Sequence, residues 1–114
     1  MKGLTFRARY VAPILAGSKT TTIRRPSNRL PGPLEPFRLV CRYDLPPFAF
    51  GTVLEVRDVL PVQLTNSDAR ADGFTDLAEL LAALEVLTAS GPDAQPSLLP
   101  HVWRIIRFRL DSIQ

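Results

Sequence analysis

Gly17-Ser18-Lys19-Thr20-Thr21-Thr22-Ile23-Arg24-Arg25 is the stretch from which the fold is read. An apolar helical pattern stops at its first residue, and a β-branched run starts at Thr20. It holds three consecutive threonine hydroxyls, two adjacent guanidiniums and one of the chain's two lysines. Packing does not require that density of donors. A helix end that meets a strand start can aim several of them at one ligand. A Thr-rich edge strand kept soluble by its charges has the same composition, so the residues alone leave both readings open.

Upstream, Tyr10, Val11, Ile14 and Leu15 recur on one helical face. Pro13 lacks an N–H, so the helix must start near Arg9 or Tyr10 to keep it in the first turn. Gly17 supplies the left-handed residue that ends it. Before the helix, Leu4-Thr5-Phe6-Arg7 alternates apolar and polar as a short strand does. Downstream, a strand puts Thr20, Thr22 and Arg24 on one face and Thr21 and Ile23 on the other. Lys19 precedes Thr22 by three residues, so the two converge only if Lys19 curls back from the turn before the strand.

Residues 26–36, with four prolines, read as a loop from which Arg29 can reach a ligand. A strand follows over 37–43, a turn over 44–47, and a longer strand over 52–59, led in by Phe48-Ala49-Phe50-Gly51. Thr65 or Asn66 caps a short helix that runs to Ala71 and is broken by Gly73. Thr75 caps a second helix with Asp76 in its first turn. Its leucines at 77, 80, 81, 84 and 87 form one stripe, assigned to the core. Residues 90–100 read as another proline-containing loop, with His101 just before the last strand. That strand, 102–110, shows Ile106, Phe108 and Leu110 on one face and Trp103, Ile105, Arg107 and Arg109 on the other. The second face reads either as a platform for bases and phosphate or as an ordinary solvent face. The element order predicts α+β architecture: a curled, mostly antiparallel sheet closed like a barrel, with flanking helices.

The 114 residues, 46% apolar and 22% charged, are expected to form a single globular domain over 1–114. Apolar runs fall far below the roughly 18 residues of a membrane span. The first residues lack a signal-peptide pattern. Cys41 is the sole cysteine and forms no internal disulfide, which together with the absent signal points to the cytoplasm. Within Phe37-Arg38-Leu39-Val40-Cys41 it reads as a small buried apolar residue rather than a catalytic thiol. One Cys and one His do not make a zinc site, and neither metal nor cofactor is expected. Charge is uneven. Residues 1–42 carry nine Lys or Arg against Glu35, a net of +8. Residues 43–101 carry two Arg against nine acids, a net of −7, and 102–114 return to +2. A basic side of this kind is a footprint for phosphate, unless basic and acidic segments pair with each other.

The block Ile14-Leu15-Ala16-Gly17-Ser18-Lys19-Thr20-Thr21-Thr22-Ile23-Arg24 resembles the ASCH domain family. Phe6-Arg7-Ala8-Arg9-Tyr10 precedes it. Asp72-Gly73-Phe74-Thr75 stands ahead of Leu77-Ala78-Glu79-Leu80, and Ile106-Arg107-Phe108 closes the chain, so the similarity covers nearly all of it in order. The resemblance implies a PUA-like β-barrel and RNA or a nucleoside-like molecule as partner. Some small bacterial members are similar to amidohydrolases that deacetylate acetylcytidine; others are implicated in RNA binding or cleavage. By the resemblance Lys19 is the base, Thr22 the nucleophile and Asp72 the acid. Separately, from their charge and placement, Arg7, Arg9, Arg24, Arg25 and Arg107 are expected to contact substrate or RNA. The deacetylating enzymes carry Glu where this chain has Asp72. A misplacement of about 1 Å can cost about 10²-fold, so a binding pocket is expected ahead of an amidohydrolase, a ribonuclease or a protein-interaction module. The sequence does not give an oligomeric state.

Overall fold

The structure is a computed structural model and describes residues 1–89 and 101–114; the loop expected at 90–100 lies outside the described residues. Strand β1 (Lys2–Thr5) is followed by a 3-10 turn at Ala8–Tyr10 and helix α1 (Val11–Ala16). Then come β2 (Thr21–Arg24), β3 (Pro36–Val40), β4 (Ala49–Val59), α2 (Asn66–Ala71), α3 (Leu77–Ala89) and β5 (Trp103–Ile113). Pro13 falls in the first turn of α1, and Gly17 ends it at φ 83°, as the sequence requires.

The five strands form one sheet in the order β1-β3-β4-β5-β2. β1 runs parallel to β3, and the other three pairings are antiparallel. The α+β class and the curled, mostly antiparallel sheet match the element order. Closure does not occur: the edge strands β1 and β2 are not hydrogen-bonded to each other, so the sheet is a half-barrel. Each edge strand has four residues, one stopped by the turn at Ala8 and the other by Pro26. The gap is bridged by a side chain instead, as the Arg24 guanidinium donates from Nη2 to the Thr5 carbonyl.

β4 and β5, eleven residues each, are the spine. Their ladder is interrupted between Phe50 and Gly51 and between Val53 and Glu55, which sharpens the curl. Gly51 lies so close to β5 that an added Cβ would sit 2.7 Å from the Arg109 carbonyl oxygen. Gly51→Ala is therefore expected to cost about 1–3 kcal/mol in urea unfolding, and an unchanged midpoint would contradict this contact.

Two cores cover the two faces of the sheet. One packs Leu4, Phe6, Ile14, Phe37, Leu39, Val53, Ile106 and Phe108, with Phe37 and Phe108 edge to face at 5.6 Å. The other packs Ile23, Val59, Trp103 and Ile105 under Leu64, Ala69, Leu80 and Leu84. This second core departs from both readings of that face: Trp103 is only 1% exposed, so it is neither a platform for bases nor part of a solvent face. Thr65 caps α2 reciprocally with Asp68. α3 is capped by Asp76, whose Oδ1 accepts from the Glu79 N–H at 2.9 Å, and not by Thr75. Leu80 and Leu84 are core, but Leu87 is 50% exposed, so the leucine stripe does not bury along its full length. Among the described residues no helix is long and apolar enough to cross a membrane.

Candidate functional site

The turn between α1 and β2 is fastened at both ends. Ser18 and Lys19 donate their N–H groups to the Pro13 carbonyl at 3.0 and 3.1 Å, and Thr20 donates to the Ala71 carbonyl at 2.8 Å. The last contact ties the turn to the end of α2 and places Lys19 against Asp72. Gly73 follows at φ 96°, a conformation that favours glycine. A Cβ there would touch the Lys19 stem at 3.5 Å, so the chain reverses directly beneath that side chain.

Lys19 Nζ donates to Asp72 Oδ1 at 2.7 Å and to the Asp72 carbonyl at 2.8 Å. It also lies 4.9 Å from the centre of the Tyr10 ring, a favourable place for an ammonium. The two side chains are 4% and 7% exposed. Burial pushes the Asp72 carboxyl up to about 6, against the Lys19 and Arg24 charges that pull it down. Burial pushes the Lys19 ammonium down, outweighing the support of Asp72, and Arg24 adds to the depression. Desolvation thus drives acid and base towards a neutral pair that shares one proton.

The pair makes stability depend on pH in a defined sense. Asp72 is raised, so its stabilisation is complete below the unfolded value of 3.8 and is lost as pH rises through about 6. Lys19 is depressed, so it acts in the alkaline range: stability recovers as pH rises towards 10.5, where the unfolded chain still binds the proton. Wild type is expected to lose stability between about pH 4 and pH 6 relative to Asp72→Asn in parallel urea titrations. Curves that stay parallel would show that Asp72 keeps an ordinary carboxyl.

Thr22 is buried, and its Oγ1 accepts from Arg24 Nε at 2.9 Å. This leaves the hydroxyl proton available as a donor. Arg24 lies over the Phe6 ring at 5.1 Å, and burial lowers its pKa. The Thr21 hydroxyl is buried without a well-formed hydrogen bond, close enough to Asp72 to favour the carboxylate.

Lys19, Thr22, Arg24 and Asp72 line one cavity of about 610 Å3, within the range of small-molecule sites. Arg7 and Arg9 line it as well, both exposed. α3 contributes Ala83 and Leu87, and Phe74 lies just before it. Two of the expected binding residues lie elsewhere. Arg25 points over the Trp103 ring at 5.5 Å, because it follows Arg24 directly and successive residues face opposite ways. Arg107 is exposed on β5, paired across the strands with Thr21 and Glu55, and does not line the cavity. The sequence reading also missed contributors. Phe6 and Tyr10 carry core periodicity, yet their rings lie under Arg24 and Lys19. Cys41, expected to be buried, is half-buried and lines the cavity. The Thr5 carbonyl that holds Arg24 leaves no signal in sequence. Among the described residues no cluster of three His, Cys, Asp or Glu stands where it could hold a metal.

The sheet order and half-barrel curl, with α2 and α3 covering one face, define an α+β half-barrel. More narrowly, the chain has the fold of ASCH domains. It is similar to a protein from Enterococcus faecalis V583 assigned to DUF984, at 16% identity and a TM-score of 0.77, over 99% of this chain and 81% of that one. It is similar to the ASCH domain from Lactobacillus crispatus JV V101 at 14% identity and a TM-score of 0.72, over 96% and 78%. A variant ASCH protein from Zymomonas mobilis matches at 14% identity and a TM-score of 0.63, over 94% and 67%. No family model matches the sequence, and no curated protein is significantly similar to it.

Proposed function

We propose that this chain is an ASCH-type domain whose cavity holds a nucleoside-like ligand and hydrolyses an acyl amide on its base, as in acetylcytidine. The observation that carries this reading is the buried Lys19–Asp72 pair at 2.7 Å, on the wall of a cavity that Thr22 also lines. A pocket built only to bind gains little from an ion pair that burial weakens. A hydrolase gains a proton donor and a proton acceptor whose affinities burial moves towards each other.

When the shared proton is on Asp72, Lys19 is a neutral amine. Thr22 Oγ1 attacks the acyl carbonyl and passes its proton to Lys19 Nζ, and a C–O bond forms. The Arg24 guanidinium, already within hydrogen-bond reach of Oγ1, is placed to stabilise the oxyanion. As the C–N bond breaks, Asp72 gives its proton to the leaving exocyclic amine. Water then attacks the acyl-threonine and loses a proton to Asp72. Lys19 returns its proton to Oγ1, and the carboxylic acid leaves. Each group ends as it began.

The shorter Asp72, which from sequence placed hydrolysis second, is supported here by the backbone. Asp72 ends α2 next to Gly73, beneath the Lys19 stem, and its carboxylate meets Nζ directly. The test is incubation with acetylcytidine and separation of cytidine from substrate. Cytidine and acetate should accumulate with enzyme concentration. Binding without product would leave a nucleoside- or RNA-binding pocket, the reading that the Arg7, Arg9 and Arg24 wall favours.

A further inference from the structure

Amide hydrolysis accounts for Lys19, Thr22, Asp72 and Arg24 but gives no task to Arg7 and Arg9. Both line the cavity and both are exposed. Among the described residues neither has a carboxylate partner, although Lys2, Lys19, Arg42, Arg57, Arg104 and Arg109 each have one. Arg9 is held in place: its Nη2 donates to the Tyr10 hydroxyl at 3.1 Å, and its guanidinium lies 4.9 Å from the ring centre. The same ring carries Lys19 Nζ, so Tyr10 links the outer guanidinium to the buried pair. Inside the cavity Asp72 balances Lys19, and Arg24 is committed to Thr22 and Thr5. Arg7 and Arg9 are left as uncompensated positive charge on its wall. Guanidiniums without carboxylate partners on the wall of one cavity suit the oxygens of a phosphate. Arg25 and Arg107 do not join them at the cavity, so the cluster matches one phosphate group and not a strand of them.

The geometry points to a phosphate subsite at Arg7 and Arg9, which makes a nucleoside monophosphate bearing the amide a tighter ligand than the free nucleoside. This rests on the nucleoside reading above and adds the anion to it.

Isothermal titration at low salt with cytidine, cytidine 5′-monophosphate and a short cytidine oligoribonucleotide lacking terminal phosphates tests it without any turnover. The monophosphate should bind at least about tenfold more tightly than cytidine. The advantage should shrink as salt is added and disappear in Arg7→Ala/Arg9→Ala, while Arg9→Lys should retain part of it. Equal affinities, no binding of either mononucleoside, or a preference that survives the double substitution would overturn the subsite. An oligonucleotide that binds more tightly than the monophosphate would overturn its assignment to a single nucleotide. Turnover of acetylcytidine without a monophosphate preference sinks the subsite and leaves the hydrolase standing. A monophosphate preference without turnover does the reverse.

Discussion

Lys19→Met is expected to lower kcat/KM for acetylcytidine by at least about 10³-fold, in the range lost when a general base is removed. Methionine keeps an unbranched stem that can follow Gly73 and the Tyr10 ring, but it has no proton to accept or give. The carboxyl of Asp72, already raised to about 6 by burial, then loses its nearest positive charge and stays protonated at neutral pH, which spares the fold an unpaired buried anion. Circular dichroism should therefore be close to that of wild type, and the loss should be one of chemistry. Turnover within tenfold of wild type would remove Lys19 from the mechanism.

Asp72→Ala should be the most destabilising change at the site. It leaves an ammonium that is 4% exposed with only a carbonyl and an aromatic ring for company. Splitting a buried pair costs about 3–5 kcal/mol, a fall of roughly 15 °C or more in Tm for a domain near this size. Lys19→Met/Asp72→Leu should recover most of that stability, since an apolar pair of similar volume replaces a buried ion pair at little cost. A double-mutant cycle over the two positions isolates the coupling. If the single and double variants melt together, the pair is not the buried unit described above. The double variant should remain inactive, which separates the pair's role in stability from its role in chemistry.

Much of this was legible in the sequence because it follows from local constraints. Pro13 and Gly17 fix the two ends of α1, and the switch from helical to β-branched pattern marks the turn that the contacts of Ser18, Lys19 and Thr20 fasten. Asp72 entered through the resemblance, since fifty-odd residues of chain separate it from the turn and no periodicity crosses that distance. What stayed hidden depends on tertiary placement. A strand pattern says that Arg24 and Arg25 face opposite ways, but not which one meets a cavity. Trp103 and Ile105 alternate with Ile106 and Phe108 as a half-exposed strand would, yet both sets are buried because helices α2 and α3 cover the second face of the sheet. The barrel's failure to close was equally invisible, since it turns on where two four-residue edges come to rest. Phe6 is core and Tyr10 packs against it, as their periodicity predicts, but that periodicity does not reveal that their rings also lie beneath cations.

The central claim is that Thr22 is the nucleophile served by the buried Lys19–Asp72 pair. Rapid quenching of the protein with acetylcytidine, followed by mass spectrometry of its peptides, tests this most directly. An acetyl group on the peptide that contains Thr22, absent in Thr22→Ala and accumulating in step with the first turnover, is the predicted result. Cytidine formed at the wild-type rate by Thr22→Ala, or no cytidine from the wild-type protein at all, would contradict it.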